Sequence, residues 1–371
     1  MRSAKAVCRR CFIPENFPGL RINAEGLCNV CEDFASKDNM KRMQQSLALD
    51  NSGELRAIAS EIKKDESKRN SKYDCIIPAS GGLDSTYVLY IARKIMGLNP
   101  LAVKYDNGFS HDIANQNLRE ACRILQVDLR IVPALRNERG YVSNSIKSLM
   151  NLGLFFPVCH CCVYTLRSVI YKVAKEEGLT YLLASSDKAE YDRVPRSAKV
   201  KELKARLFRL SPWKLLKFAY YQILAQSHLA RLKFQDDGFS MRFLRNLFKV
   251  YPPCAPEIPP YIRKINVTKY VAWNWSNIEQ TLRQELNWRT PRRMKIPYLR
   301  FDCRLSALID KSCKDIVGIT KHGLICNWFV QAGLISKEDL EDDFLYIENE
   351  ERVEKDIKKV FDELDIPIKK T

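Results

Sequence analysis

Residues Tyr73–Thr86 read YDCIIPASGGLDST, and this stretch decides the fold. Its first half, Tyr73–Ala79, is a short apolar run that predicts a buried strand. Two adjacent glycines follow, and then Asp84 opens an amphipathic stretch, Ser85–Met96, that predicts a helix. A strand, a glycine turn and a helix start in this order are typical of an anion-binding loop, because backbone N–H groups without a neighbouring Cβ can close around a phosphate.

The loop has the residue types that a phosphate site requires, but it is not a Walker A loop, since it lacks G-x-x-x-x-G-K-[ST]. Ser80 and Ser85 can donate their hydroxyls to phosphate oxygens, and Asp84 is a suitable Mg²⁺ ligand. All six positions match the S-G-G-x-D-S loop of the PP-loop ATP pyrophosphatases, which cleave ATP between the α- and β-phosphates and adenylate a carbonyl-type oxygen. The resemblance implies that six residues bind ATP: Ser80, Gly81, Gly82, Asp84, Ser85 and Thr86.

From residue 73 to about 190 the sequence alternates short apolar runs with amphipathic helices, which predicts an α/β parallel sheet with right-handed crossovers. With the loop, this resembles the adenine-nucleotide alpha-hydrolase-like (PP-loop, HUP-type) fold. The further predicted strands are Pro100–Tyr105, Val127–Val132 and Thr180–Ser185, and the further helices are Asp112–Leu125 and Cys162–Glu177. Asp106 follows the second strand, where such a sheet binds a nucleoside, so we expect it to contact ATP; an ordinary Asn-Gly turn at 107–108 is the alternative.

Cysteine spacing predicts two metal-binding segments. Cys8-x₂-Cys11 and Cys28-x₂-Cys31 have the spacing of a zinc ribbon. Cys159-x₂-Cys162 can hold a second metal or an iron–sulfur cluster if a distant ligand such as Cys254 or Cys303 joins, or these can be reactive thiols at a helix N-terminus. We interpret four other cysteines as buried packing residues: Cys75, Cys122, Cys313 and Cys326.

Composition gives the compartment and the charge. The chain has 371 residues, thirteen of them cysteine, and no secretory or membrane-spanning run, so we expect a reducing, cytoplasmic setting. Its 61 Lys and Arg against 44 Asp and Glu give a net charge of +17, which indicates an anionic partner. Residues 196–249 alone hold 13 bases against three acids.

We divide the chain into five parts on these patterns. Residues 1–35 are the ribbon, and 36–72 are a helical linker. Residues 73–195 are the nucleotide-binding core, and 196–262 are a basic helical insertion or lid. Residues 263–371 form a mainly helical C-terminal region that completes the substrate site.

Five segments together resemble the N-acetyl sugar amidotransferase family, which acts in surface-polysaccharide and pseudaminic-acid-type biosynthesis. They are the ribbon, the loop stretch YDCIIPASGGLDST, Gly97–Val103 (GLNPLAV), the helix start Pro157–Cys162 (PVCHCC) with the basic insertion, and Phe301–Arg304 (FDCR). The resemblance implies catalytic roles for Asp84, Ser85, Asp302 and Cys303. It also implies a catalytic acidic residue after the fourth strand, where Asp187 and Glu190 are the two candidates. Leu83 departs from the family, which usually has lysine there.

The resemblance implies that an acetamido group becomes an acetamidino group. ATP adenylates the amide oxygen, ammonia attacks the imidate carbon, and AMP leaves. The implied cofactors are ATP, Mg²⁺ and Zn²⁺, and the implied setting is lipopolysaccharide O-antigen synthesis. A separate glutaminase would supply the ammonia, since the chain has no Gly-x-Cys-x-Gly turn and has Arg2 rather than an N-terminal cysteine. The basic insertion would cover phosphates and an anionic sugar nucleotide, with peripheral membrane or RNA contact as the second reading.

Two other functions fit parts of the sequence. A PP-loop tRNA-modifying enzyme, a thiolase or a lysidine-type synthetase, would use the positive charge, the ribbon and Cys159 and Cys162, but no RNA-binding module is recognisable, so nucleic acid is not the expected partner. A non-catalytic scaffold could bind a glutaminase or a membrane surface through its basic helices, although the intact Asp84 and Ser85 favour an enzyme.

Overall fold

The computed structural model describes residues 7–35, 45, 47–65, 71–155, 158–185, 196–233, 257–292, 294–295 and 302–366. Its strands are β1 Cys75–Pro78, β2 Pro100–Asp106, β3 Asp128–Pro133, β4 Tyr181–Ala184 and β5 Arg263–Asn266. They form one sheet in the order β3-β2-β1-β4-β5, and every neighbouring pair is parallel. This confirms the predicted α/β class with a parallel sheet.

The helices fall into three groups along the chain. Before and within the first half of the sheet are α1 Asn29–Ala35, α2 Ser52–Lys64, α3 Leu83–Tyr90, α4 Asp112–Leu125, α5 Arg136–Met150 and α6 Val158–Glu176. The basic segment contributes α7 Arg196–Phe208 and α8 Pro212–Lys233. After β5 come α9 Trp275–Leu286, α10 Ser306–Val317, α11 Lys321–Gln331, α12 Lys337–Ile347 and α13 Glu350–Glu363.

The central strand and its loop form as the sequence predicts. Cys75, Ile76 and Ile77 of β1 are completely buried because helices cover both faces of the sheet. The chain then turns through the glycines into α3, which starts two residues before the predicted helix and continues as a π-helical turn over Ile91–Ile95. The strand order changes direction at β1, since β2 and β3 follow on one side of it and β4 and β5 on the other. The loop after β1 therefore lies at the topological switch point, where open α/β sheets bind ligands.

Three features of the sheet region differ from the sequence prediction. Helix α5 was not predicted. Helix α6 begins at Val158 rather than Cys162, so Cys159 lies inside its first turn. No strand was predicted after residue 185, yet β5 pairs with β4. Its sequence RKIN is short and mostly exposed, as an edge strand can be, and therefore lacks the apolar run by which strands are recognised. The sheet thus includes four residues of the region assigned to 263–371.

The cysteine ribbon packs on the C-terminal helices. The backbone N–H of Phe12 donates to Asn327 Oδ1 over 2.7 Å, and the Phe12 ring stacks on Phe344 with centroids 4.0 Å apart. Gln331 Nε2 lies 3.4 Å from Cys11 Sγ. These contacts with α11 and α12 join the two ends of the chain, so the ribbon is a structural part of the fold.

The described part of the basic segment packs along α5. Phe218, Ala225 and Leu229 of α8 are buried there, and Ser148 Oγ donates to the carbonyl of Phe218 over 3.2 Å. The opposite side of α8 carries large apolar side chains that remain exposed, with Trp213 at 66%. Within the residues that the structure describes, no helix is both long enough and apolar enough to cross a bilayer.

Candidate active site

The first glycine of the loop has a conformation and a position that exclude any side chain. Gly81 has φ +87°, in the left-handed region, and a Cβ there would stand 1.9 Å from the carbonyl oxygen of Ala114. The indole Nε1 of the buried Trp288 donates to the carbonyl of Gly81 over 3.0 Å. Helix α4 and a residue some 200 positions later therefore fix this turn from two sides, which holds its backbone ready for an anion.

The loop hydroxyls are arranged around the start of α3. Ser85 Oγ accepts a hydrogen bond from the backbone N–H of Ser80 over 3.2 Å, and it lies 3.2 Å from Ser80 Oγ. Thr86 is completely buried and points away from these two hydroxyls, since its Oγ1 donates to the carbonyl of Gly82 over 2.7 Å. Ser80 and Ser85 thus point into a shared space, whereas Thr86 supports the helix start and does not reach that space. Asp84 lies in the first turn of α3, half-buried.

A late segment of the chain brings a carboxylate to the loop. Ser110 and Cys303 pair as an isolated antiparallel bridge, and Arg304 N donates to the carbonyl of Phe109 over 2.9 Å. This pairing places Asp302 so that a Cβ on Gly82 would lie 3.4 Å from Asp302 Oδ2. The carboxylate of Asp302 therefore flanks the loop, in a position to bind Mg²⁺ or to orient a nucleophile.

A buried lysine lies beside the loop, near the end of the neighbouring strand. Lys104 lies on β2, is only 3% exposed, and its Nζ contacts Asn115 Oδ1. Burial lowers the pKa of Lys104, and the carboxylates of Asp106 and Asp302 oppose that shift. Sequence reasoning missed this residue. The available signal was a lysine within the apolar strand PLAVKYD, since lysine is rarely buried without a task.

These groups meet at one cavity of about 250 Å³. Its polar lining consists of Ser80, Ser85, Lys104, Asn107, Ser110 and Asp302, and its other lining residues are Pro78, Ala79, Tyr105, Cys162, Val163, Leu166 and Cys303. Hydroxyls, an ammonium and a carboxylate are suitable partners for a phosphate and its Mg²⁺ ion. None of the described residues of α7 and α8 lines this cavity.

Asp106, predicted to contact ATP, does not line the cavity. Its Oδ1 accepts the N–H of Gly108 over 3.0 Å, and Asn107 Oδ1 accepts from Phe109 N over 3.0 Å. Both side chains thus shape the turn after β2, as in an ordinary Asx turn. Asn107 also faces the cavity, where its amide lies 3.9 Å from Cys162 Sγ. The ATP contact of Asp106 stays a prediction.

Two thiols line the cavity, and a third lies near them on helix α6. Cys162 and Cys303 line it, and Cys159 lies one helical turn before Cys162. Burial raises the pKa of Cys162, and the neighbouring thiols of Cys303 and Cys159 raise it further. Burial and the carboxylate of Asp302 raise the pKa of Cys303 to about 12. Cys161 differs, since it is 1% exposed and interacts with Ser145 and Tyr141 of α5.

The ribbon cysteines form a compact, completely buried set. Their four Sγ atoms all lie within 4.8 Å of one another, with Cys8–Cys31 and Cys11–Cys28 each at 3.9 Å. Hydrogen bonds from Cys11 and then Cys31 lower the pKa of Cys28 to about 2, so a thiolate is favoured there. A set of this kind can hold zinc or an iron–sulfur centre. Four zinc-bound thiolates at about 2.3 Å from one ion are themselves about 3.8 Å apart, so the spacing fits a single tetrahedral ion.

The remaining predicted residues divide between buried packing positions and positions outside the description. Cys75, Cys122, Cys313 and Cys326 are buried, as expected of packing residues. Asp187, Glu190 and Cys254 lie outside the described residues, as do Phe156, Pro157 and Phe301.

Comparison with known proteins gives distant likenesses. No family model matches the chain. It is 32% identical over 127 residues to the uncharacterized protein MJ1599 of Methanocaldococcus jannaschii, a match that spans 34% of this chain and 43% of that protein.

Three solved structures are similar at low scores. The U34-tRNA thiolase NcsA of Methanococcus maripaludis, solved with its 4Fe-4S cluster, has a TM-score of 0.32 and 14% identity, covering 91% of this chain and 89% of its own. The NH3-dependent NAD synthetase of Campylobacter jejuni has a TM-score of 0.29 and 13% identity, covering 54% and 99%. The NMN synthetase of Francisella tularensis has 0.24 and 11%, covering 56% and 91%.

Proposed function

We propose that this chain is an ATP-dependent amidotransferase that converts the acetamido group of an N-acetyl sugar to an acetamidino group. The amide oxygen attacks the α-phosphorus of ATP, and pyrophosphate leaves. Ammonia then adds to the imidate carbon, the C–O bond breaks, and AMP departs with the former amide oxygen. The proposed setting is lipopolysaccharide O-antigen or other surface-glycan synthesis in the cytoplasm.

The observation that carries the ATP part of the proposal is the closure of the loop at Gly81. At Gly81 a Cβ would meet backbone at 1.9 Å, so only glycine fits this turn, and the hydroxyls of Ser80 and Ser85 lie beside it. Lys104 and Asp302 add one positive and one negative group at the same cavity. A pre-arranged set of donors, a cation and a metal-binding carboxylate is what the charge that develops at a transferring phosphoryl group requires.

The amidation part rests on the sequence resemblance and gains support from one contact. The loop stretch and the FDCR segment are two of the five family-like segments, and they meet at Gly82, where a Cβ would lie 3.4 Å from Asp302 Oδ2. In the proposal Asp84 and Asp302 hold Mg²⁺, and Asp302 also orients the attacking ammonia. Asp187 or Glu190 adds a further acidic group. A separate glutaminase supplies the ammonia, and Zn²⁺ occupies the ribbon.

A second candidate function is sulfur transfer to tRNA, and a specific observation favours it. Cys162 and Cys303 line the same cavity as Ser80 and Ser85 of the loop, and Cys159 lies one helical turn before Cys162. An adenylated oxygen beside thiols could be displaced by sulfur instead of ammonia. In that case the basic surface would bind the RNA backbone, and binding would weaken steeply with salt.

One incubation separates the two candidates. The full chain is given ATP, Mg²⁺ and ammonium with a panel of nucleotide-linked N-acetyl sugars, and products are read by mass spectrometry. Amidation gives a sugar lighter by the difference between O and NH, with AMP and pyrophosphate in equal amounts. A parallel incubation replaces the sugars with unmodified tRNA and ammonium with sulfide. AMP and thiolated tRNA there, with no change in any sugar, would assign the second function instead.

A further inference from the structure

A short segment after α9, residues 287–289, contacts both the glycine loop and helix α4. The buried indole of Trp288 donates to the carbonyl of Gly81 over 3.0 Å, and a Cβ on Gly81 would stand 1.9 Å from the carbonyl oxygen of Ala114 in α4. The loop therefore has two partners, an indole and the backbone of a helix. Because the indole lies at the end of a side chain, its position depends on what holds the backbone of residues 287–289.

One side chain of α4 holds that backbone from both of its polar groups. Asn117 Oδ1 accepts the N–H of Arg289 over 2.9 Å, and Asn117 Nδ2 donates to the carbonyl of the same residue over 2.7 Å. The amide thus pairs with Arg289 through an N–H and a carbonyl, as the peptide groups of neighbouring strands do. Asn117 is only 4% exposed, although asparagine is usually an exposed residue, so its two bonds meet little competition from water.

The other contacts of the segment are less protected. Asn287 Nδ2 donates to Glu120 Oε1 of α4 over 3.1 Å, but this bond is exposed. The backbone N–H of Trp288 donates to the carbonyl of Leu282, which ties the segment to its own helix α9 and not to the loop. Water can replace an exposed hydrogen bond at little cost, whereas a buried polar group that loses its partner is expensive. The pairing with Asn117 is therefore the contact with α4 on which the position of residues 287–289 depends most.

These contacts form a closed circuit behind the glycine loop. Gly81 packs on Ala114, and Asn117 follows Ala114 by three residues in the same helix, about one turn. Asn117 holds Arg289, and the residue before it, Trp288, returns to the carbonyl of Gly81. A binding loop keeps its geometry only if the residues behind it are themselves fixed, and a displacement of about 1 Å can lower a rate about 10²-fold.

The sequence of α4 singles out Asn117 in the same way. The buried face of this helix is otherwise mainly apolar, with Ala114, Leu118 and Ala121 beside Asn117. A leucine or alanine would pack equally well on such a face but could not bond to a backbone. An asparagine there is explained by the peptide group that it pairs with.

We propose that Asn117 is a positioning residue of the ATP loop and that it acts through Trp288. Asn117 is not among the residues that line the cavity, so it does not contact the nucleotide itself. Its effect on catalysis rests on the proposed function. The placement of the indole does not, because the contacts of Asn117 and Trp288 are present without ATP.

Hydrogen exchange at the indole of Trp288 tests the placement without ATP. The chain has five tryptophans, and the indole N–H signal that Trp288→Phe removes from the nuclear magnetic resonance spectrum belongs to Trp288. If Trp288→Phe does not fold, variants of the other four tryptophans assign the signal by elimination. In Asn117→Ala this indole hydrogen should exchange with deuterium about tenfold faster than in the wild-type chain, because the buried bond to Gly81 opens more often.

Asn327→Ala is the matched control. Asn327 is also completely buried in a helix and also holds a distant backbone, since its Oδ1 accepts the N–H of Phe12 over 2.7 Å, but it does so at the ribbon. Both variants are measured equally far below their own unfolding midpoints, so that a general loss of stability affects them alike. The control should leave the exchange of the Trp288 indole unchanged.

AMP formation gives a second readout that a merely structural role would not move. The KM for ATP should rise about tenfold in Asn117→Ala while kcat changes less than about threefold, because the loop binds phosphates in the ground state as well as in the transition state. Trp288→Phe should raise KM by a similar factor. The double variant should raise it no further than the larger single effect, since the two side chains act on the loop through one path. Asn327→Ala should keep the wild-type KM.

Two outcomes overturn the inference. One is an indole of Trp288 that exchanges at the same rate in Asn117→Ala as in the wild-type chain or the control. The other is a double variant in which the two single effects on KM multiply, because Asn117 would then act independently of Trp288. A wild-type chain that forms no AMP contradicts the proposed function instead, and the exchange rates still decide whether Asn117 places the indole.

Discussion

The carboxylate of Asp302 flanks Gly82, more than 200 residues earlier in the chain, so closely that a Cβ on the glycine would stand 3.4 Å from Asp302 Oδ2. The C-terminal region thereby contributes a charged group to the loop that follows the first strand. Trp288, which donates to the carbonyl of Gly81, is a second contribution from the same region. The proposed ATP site therefore depends on residues of 263–371 as well as on residues of the core.

Replacing Gly81 by alanine should abolish ATP cleavage. The new Cβ would meet the Ala114 carbonyl, so the loop must move away from its present position. Gly178→Ala is the control, because Gly178 also has a positive φ, +65°, but nothing lies within 4 Å of its Cβ position. The control should cost about 1–3 kcal/mol of unfolding free energy from backbone strain alone. Gly81→Ala should cost more in denaturant titrations and form no AMP; equal behaviour of the two variants would contradict the role of the close contact.

Asp302→Asn should lower the rate of AMP formation about 10²-fold or more, because the amide cannot replace a carboxylate that binds metal or orients a nucleophile. The Mg²⁺ concentration for half-maximal rate should also rise, which a purely structural change would not produce. The control is Asp128→Asn, which removes an exposed ion pair with Lys72 at the first residue of β3. If Asp302→Asn leaves the Mg²⁺ requirement unchanged, Asp302 does not bind the metal.

Lys104→Met should reduce AMP formation about 10²-fold, because it removes the cation at the cavity. In the wild-type chain burial lowers the pKa of Lys104, so the ammonium loses its proton at a lower pH than an exposed lysine does. The rate should therefore fall with rising pH already below the ordinary lysine pKa. Between the lowered pKa of Lys104 in the folded chain and the ordinary lysine pKa, the unfolded chain binds more protons than the folded chain. Lys104 therefore makes the free energy of unfolding rise with pH in this range, while the rate of AMP formation falls. The pH–rate profile of Lys104→Met should lack this fall of the rate at high pH. An identical fall in the variant would assign the titration to another group.

Removal of the metal proposed for the ribbon should destabilise the whole fold, because the ribbon packs on α11 and α12 through Phe12. A chelator that competes for zinc should lower the unfolding free energy, by about 4 kcal/mol where zinc had exceeded its Kd by about 1,000-fold. Cys28→Ser should show the same loss without a chelator. Cys122→Ala changes a buried cysteine elsewhere and should keep one zinc per chain. Full thermal stability of metal-free chain would show that the ribbon does not support the C-terminal helices.

The sequence predicted the parts of the fold that local pattern determines. One stretch forms as expected: the strand Cys75–Pro78, the glycine turn and the helix after it. Its apolar strand residues, its conformationally free glycines and its helix start follow one another directly, so each local signal supports the next. Helix α4 has the predicted bounds, Asp112–Leu125. The ribbon was recognisable because four cysteines at fixed spacing need no tertiary information.

Long-range contacts explain what the sequence missed. Asp302 and Cys303 were suspected from resemblance, but only the pairing with residues 109–111 places them beside the loop. Trp288 carries no local sign that its indole reaches Gly81. Lys104 was overlooked although it interrupts an apolar strand, and β5 was overlooked because its polar sequence has no strand pattern. Each of these features depends on which distant segments of the chain come into contact, and the hydrophobic periodicity of the sequence does not encode that.

The most direct test of the proposed reaction follows the acetamido oxygen. The substrate sugar is labelled with heavy oxygen in its acetamido carbonyl and incubated with ATP, Mg²⁺, ammonium and the full chain. The proposed adenylated imidate requires that AMP carry the label and that the sugar lose it, with one labelled AMP for each acetamidino group formed. Unlabelled AMP, or ADP in place of AMP, would contradict the account.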